Sequence, residues 1–194
     1  MSSARLAVVG ASWGGMQAVA DLLGALEPEN RLAVAVAQHR APDSDSEETL
    51  VRFLARRSNL PIVEVDDKAA VEPGRVYLAP ADYHLLVEPG HFALSTEGPV
   101  RFSRPSIDVL FESAADAYGE AVVAVVLTGA NDDGRRGTLA VKEAGGVTIA
   151  QDPATAERPE MPASAIDAGA VDLVLPIDAI ARELNERGRV EVGS

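Results

Sequence analysis

A serine set among glycines, three histidines and two adjacent aspartates are the residues whose types and spacing could carry covalent chemistry in this chain. Gly10-Ala11-Ser12-Trp13-Gly14 fits the pattern G-x-S-x-G, and it stands between an apolar run, RLAVV (5–9), and a helical pattern, MQAVADLLGAL. In a strand-turn-helix setting small neighbours allow a sharp turn, so the Ser12 hydroxyl would project from the carboxyl edge of a sheet. The start of the following helix would supply free backbone N–H groups and positive partial charge for an oxyanion. A glycine-rich turn of this kind can also bind a phosphate, and Ser12 could simply cap the helix. The dinucleotide pattern G-x-G-x-x-G and a P-loop lysine are both absent, so neither cofactor reading gains support.

A nucleophilic serine needs a base, and only His39, His84 and His91 offer an imidazole. His39 follows the second strand directly, on the carboxyl edge that Ser12 occupies, where neighbouring parallel strands converge on a ligand. His84 and His91 bracket a hairpin and read as ordinary polar positions. An orienting acid is expected on the same edge, and the turn after the most hydrophobic strand holds Asp132 and Asp133. Sheet geometry does not choose between them, and an Asp-Asp-Gly turn has conformational reasons of its own. What favours chemistry is the coincidence of three such positions with three strand ends.

The elements that must position these residues alternate between strand and helix, as in a parallel sheet. RLAVAVAQ (31–38) reads as a second buried strand, followed by a polar loop with Pro42 and a helix from about Ser46 to Arg57. PIVEVDD (61–67) and RVYLAP (75–80) are shorter strands, and HLLVE and HFALS flank Pro89-Gly90 as an antiparallel hairpin. PSIDVLFESAADAY (105–118) is helical, with Pro105 in its first turn and Ile107, Leu110, Phe111 and Ala114 on one stripe. AVVAVVLT (121–128) is the most apolar strand and belongs near the middle of the sheet, covered on both faces. A short helix (TLAVKEAGG), two more strands (VTIAQD and AVDLVLP) and a C-terminal helix (IDAIARELNERG) complete the pattern. The expectation is one α/β domain over residues 1–194, with a mostly parallel, doubly wound sheet and an antiparallel hairpin at one side.

Composition excludes several functions. The formal charge of −13 opposes binding to nucleic acid and to anionic lipid, both of which require clustered Lys and Arg. Without cysteine there is no disulfide or thiolate chemistry, and three histidines leave little for a metal cage; no metal or cofactor is expected. The longest apolar runs fall far short of the roughly 20 residues that span a bilayer. No signal peptide is recognisable, so the expected location is the cytoplasm.

Taken in order, Gly10-Ala-Ser-Trp-Gly-Gly15, Gln38-His39, Arg104-Pro-Ser-Ile-Asp-Val-Leu-Phe111, Leu127-Thr-Gly-Ala-Asn-Asp-Asp-Gly134, Ala150-Gln-Asp-Pro and Met161-Pro162 resemble the catalytic domain of bacterial chemoreceptor protein-glutamate methylesterases from end to end. The resemblance implies a Ser12 nucleophile, a His39 base and, from the position of the acid in the family's L-T-G-M-G-x-D-G turn, Asp133 rather than Asp132. It further implies oxyanion donation by the backbone N–H groups of Trp13 and Ala130. The implied reaction is hydrolysis of glutamate γ-methyl esters in the cytoplasmic region of a chemoreceptor or a similar signalling protein, with glutamine deamidation by the same acyl-enzyme route. Typical members carry an N-terminal receiver domain, and its absence here implies a stand-alone form, constitutive or governed by a separate receiver-domain protein. Two departures stand out: Ala130-Asn131 replaces the usual Met-Gly, and Trp13 replaces a common threonine. They leave two competing readings, a serine esterase with another substrate and a catalytically impaired binding module of the same fold.

Overall fold

A computed structural model describes residues 5–39 and 47–189. Pro42 and Ser46, the loop and helix start expected after the second strand, lie outside the described residues. Seven strands form one parallel sheet in the order β3-β4-β2-β1-β7-β8-β9, and β5 and β6 form a separate antiparallel hairpin. The large sheet comprises β1 (Leu6–Ala11), β2 (Ala33–Gln38), β3 (Ile62–Glu64), β4 (Val76–Leu78), β7 (Val122–Val126), β8 (Val147–Gln151) and β9 (Leu173–Leu175); the hairpin pairs β5 (His84–Glu88) with β6 (His91–Ser95). The expected α/β architecture, with its doubly wound sheet and its hairpin, is what the chain adopts.

Strand residues alternate between two cores, because successive side chains on a strand point to opposite faces. Ala7, Val9, Val34, Val36, Val123 and Val125 pack with α1 (Gly15–Gly24), α2 (Glu47–Ala55) and α6 (Ile177–Gly188). Leu6, Val8, Ala35, Ala124 and Val126 face α3 (Ile107–Tyr118), α4 (Arg135–Glu143), α5 (Glu160–Asp167) and the hairpin. Burial on both faces explains why β1, β2 and β7 are written as continuous apolar runs rather than alternating ones.

The winding decides where a site can form. After β1 the chain turns into α1 on one face, and after β7 it turns into α4 on the other, so the loops leaving these neighbouring strands diverge. The carboxyl ends of β1 and β7 are therefore a topological switch point, the place where open α/β sheets bind ligands.

Two local expectations need correction. Pro105 lies outside α3: Ser106, in extended conformation, is the N-cap and accepts from Val109 N–H, as short hydroxyl side chains do at helix starts. The helix α5 was not read from the sequence, because Pro153, Pro159 and Pro162 obscure a short element made of small residues. Pro162 is tolerated since it falls in the first turn, where a missing N–H costs no intrahelical bond.

Candidate active site

Ser12 opens the turn out of β1, and its backbone is tied on both sides. Its N–H donates to Thr128 O (3.0 Å), continuing the β1–β7 ladder, and its carbonyl accepts from Gln38 Nε2 (2.8 Å) at the end of β2. Gly14 then adopts φ +73°, a left-handed conformation that a side chain would strain, and this turns the chain sharply into α1. Gln38 Nε2 also reaches His39 O (3.1 Å), so a single amide couples the backbone of the serine to that of the histidine.

Three side chains then form a line. Ser12 Oγ lies 3.1 Å from His39 Nδ1, and His39 Nε2 lies 2.7 Å from Asp133 Oδ2. The Asp133 side chain is fully buried and that of His39 is 12% exposed. Burial by itself would push the Asp133 carboxyl up. Hydrogen bonds from His39 and from the backbone N–H groups of Asp108 and Ile107 outweigh it and hold the carboxyl below its ordinary value. An ionised Asp133 only accepts, so His39 Nε2 carries the ring proton, and Nδ1 presents a lone pair to the Ser12 hydroxyl.

The cradle of Asp133 comes from the start of α3. Oδ1 accepts from Ser106 Oγ (3.0 Å), Asp108 N (2.9 Å) and Gly134 N (3.0 Å), and Oδ2 accepts from Ile107 N (2.8 Å). Unsatisfied N–H groups of a helix N-terminus thus hold the carboxylate in place. Asp108, also buried, accepts from Gly134 N (3.0 Å) and Gly137 N (2.8 Å) at the start of α4. Burial, reinforced by the nearby Asp133 charge and opposed by the Gly137 hydrogen bond, pushes its carboxyl up. Neither Ser106 nor Asp108 was assigned a role from the sequence, and the serine after Pro105 is a helix cap only in the structure.

Asp132 pairs with the guanidinium of Arg101, and among the described residues no hydrogen bond joins it to His39. The other two histidines take no part. His84 is buried, accepting from Ser106 N–H at Nδ1 (3.2 Å) and donating from Nε2 to Gly98 O (3.1 Å). His91 lies 3.9 Å from Glu88 at the hairpin end.

The turn after β7 is brought against the serine by a packing contact that only glycine permits. A Cβ on Gly129 would stand 2.9 Å from Ser12 Cβ and 2.7 Å from Met161 Sδ. Its N–H and C=O bond to Arg158 O (3.0 Å) and Met161 N (2.9 Å), while Thr128 Oγ1 donates to Trp13 O (3.0 Å). Trp13 follows Ser12 in the chain and Ala130 follows Gly129, and among the described residues no hydrogen bond occupies either of their backbone N–H groups. The Trp13 ring is 61% exposed, with Nε1 donating to Glu157 (3.1 Å) and the Arg158 guanidinium 5.5 Å from its centroid. Among the described residues no cluster of His, Asp and Glu could hold a metal ion, and no helix is long and apolar enough to cross a membrane.

Residues 7–184 match the family model described as CheB methylesterase. The chain belongs to this family. A Leptospira interrogans protein, provisionally named protein-glutamate methylesterase/protein-glutamine glutaminase, is 43% identical over 175 residues, covering 90% of each chain. A protein-glutamate methylesterase/protein-glutamine glutaminase of Anaeromyxobacter dehalogenans is 41% identical over 185 residues, which is 95% of this chain and 54% of that one. The crystal structure of the Thermotoga maritima CheB methylesterase catalytic domain superposes with a TM-score of 0.89 at 34% identity, covering 95% of this chain and 99% of that one.

Proposed function

We propose that this CheB-family chain is a carboxylic ester hydrolase that removes methyl groups from glutamate side chains, with Ser12, His39 and Asp133 as its catalytic triad. The observation that carries the reading is the continuous line from Ser12 Oγ through His39 to Asp133, at 3.1 and 2.7 Å. His39 Nδ1 takes the Ser12 proton as Oγ attacks the γ-ester carbonyl, and Asp133 fixes the tautomer and stabilises the imidazolium. The oxyanion forms between the N–H groups of Trp13 and Ala130, where preorganised dipoles meet developing charge without rearranging. His39 returns the proton to the departing methanol. Water then enters, and His39 activates it to release the glutamate side chain. A glutamine side chain would follow the same route with ammonia as leaving group, in keeping with the glutaminase part of the relatives' names.

The substrate under this reading is the methylated cytoplasmic region of a chemoreceptor-like protein, which places the reaction in the cytoplasm. The Ala130-Asn131 turn, although altered from the family pattern, still delivers Asp133 to His39, and this favours a hydrolase over a binding module. The test is methanol release from a methylated receptor cytoplasmic fragment, together with fluorophosphonate labelling. Wild type is expected to do both and Ser12→Ala neither; equal methanol release by folded Ser12→Ala would reject Ser12 as nucleophile.

A further inference from the structure

His39 Nδ1 has more neighbours than its single lone pair can serve. Ser12 Oγ is nearest at 3.1 Å, but Ser103 Oγ and Asn131 Nδ2 both lie at 3.4 Å. At that distance the two are adjacent to the lone pair rather than bonded to it. Both residues are half-buried, so solvent can reach them.

Each is also held in place by the backbone. Asn131 Oδ1 accepts from Asp133 N–H (3.2 Å), which leaves its NH2 group turned to His39. Ser103 closes a tight two-residue turn with Val100, through Ser103 N to Val100 O (2.9 Å) and Val100 N to Ser103 O (3.1 Å). Arg101 within that turn pairs with Asp132 beside Asn131, so an ion pair fastens the two turns together on one side of the imidazole.

We propose that Ser103 and Asn131 hold the water that hydrolyses the acyl-enzyme, an inference that rests on the reading of Ser12 as nucleophile. Once Ser12 is acylated its oxygen has no proton, and the His39 lone pair passes to whatever lies beside it. A water there finds three polar partners, which is what an ordered water needs. It donates one hydrogen to His39 Nδ1 and the other to Ser103 Oγ, accepts from Asn131 Nδ2, and keeps one lone pair for the acyl carbon. As its oxygen bonds to that carbon, its proton passes to Nδ1. The C–Oγ bond then breaks, the proton returns to Ser12, and the product is the free carboxylic acid. Acylation needs neither residue, since Ser12 itself then holds the lone pair.

Stopped-flow hydrolysis of p-nitrophenyl acetate separates the two steps as a burst and a steady state. Fluorophosphonate labelling of Ser12 reports attack alone, and intact-protein mass reports the acyl-enzyme. In Ser103→Ala the labelling rate and the burst should match wild type, and in Asn131→Ala, which also gives up the bond to Asp133 N–H, the burst should fall far less than the steady state. The steady state should fall by about tenfold or more, on the order of the loss of a positioned polar group at a reacting centre, with acetyl-enzyme accumulating on Ser12. Ser103→Thr, which keeps the hydroxyl, should restore turnover. Equal loss of burst and steady state would mean a merely structural role, and unchanged or faster deacylation would mean that the two residues do not hold the water; either overturns the proposal. Absence of labelling in wild type would instead remove the nucleophile reading beneath it.

Discussion

Asp133→Asn exchanges one oxygen for an NH2 group, and the surroundings of Asp133 decide where that group goes. In the place of Oδ1 it meets the backbone N–H groups of Asp108 and Gly134 together with the Ser106 hydroxyl. The hydroxyl can rotate, but the two N–H donors cannot. In the place of Oδ2 it meets Ile107 N–H and His39 Nε2. There only Ile107 is a fixed donor, because the imidazole can move its proton to Nδ1. The second orientation confronts one fixed donor instead of two and should prevail. Its stability cost is that of one buried unsatisfied N–H, about 1–3 kcal/mol. Its catalytic cost is larger, since a proton on Nδ1 faces Ser12 Oγ and the imidazole can no longer act as base. A comparable change in a serine-protease triad lowers kcat by about 10⁴. Ester turnover measured beside urea denaturation separates the two costs, with Asp132→Asn, on the exposed Arg101 pair, as a control expected to lose far less. A folded Asp133→Asn protein retaining kcat within about tenfold of wild type would refute the tautomer argument.

Gly10→Ala should destabilise by about 1–3 kcal/mol, the usual cost of overpacking, because the new methyl would overlap Ile107 Cγ2 at the start of α3. Urea unfolding at wild-type stability would show that this contact has slack. Asn30→Ala, beyond the opposite edge of the sheet, loses bonds to Leu184 O (3.1 Å) and Asn185 Oδ1 (2.9 Å) and strands Leu32 N–H. It should cost about 1–3 kcal/mol while leaving kcat unchanged; a loss of turnover in still-folded protein would contradict that separation. Stability should depend on pH through two carboxyls of opposite sign. The depressed Asp133 contributes stability that is present above the ordinary carboxylate value and lost as pH falls through its folded value. The raised Asp108 binds its proton more tightly when folded, so its contribution falls as pH rises from the ordinary value through the raised one. Urea titrations across acidic pH should show Asp108→Asn abolishing that fall, and an unchanged profile would refute it.

The sequence by itself determined most of the elements, α5 apart, and pointed to two of the three residues in the line. Short, valine-rich apolar runs without alternation read as strands buried on both faces, and the glycines around Ser12 as a tight strand-to-helix turn. A serine after β1 and a histidine after β2 are neighbours in any parallel pairing of those strands, and β1 and β2 are paired in register up to Ala11 and Gln38. Local pattern carries such information because backbone period and turn conformation are set by a few adjacent residues. The choice between Asp132 and Asp133 was not of this kind. Both occupy the same turn, and resemblance alone favoured Asp133. Only the tertiary structure gives the physical reason, by setting the first N–H groups of α3, from more than twenty residues away in sequence, around one carboxylate and Arg101 against the other. Likewise nothing local distinguishes His84, a buried link between Ser106 and Gly98, from a surface histidine of a hairpin. The partners that tell a catalytic carboxylate from a turn residue, or a structural imidazole from a solvated one, come from distant segments, and their arrival depends on strand order, which no window of sequence contains.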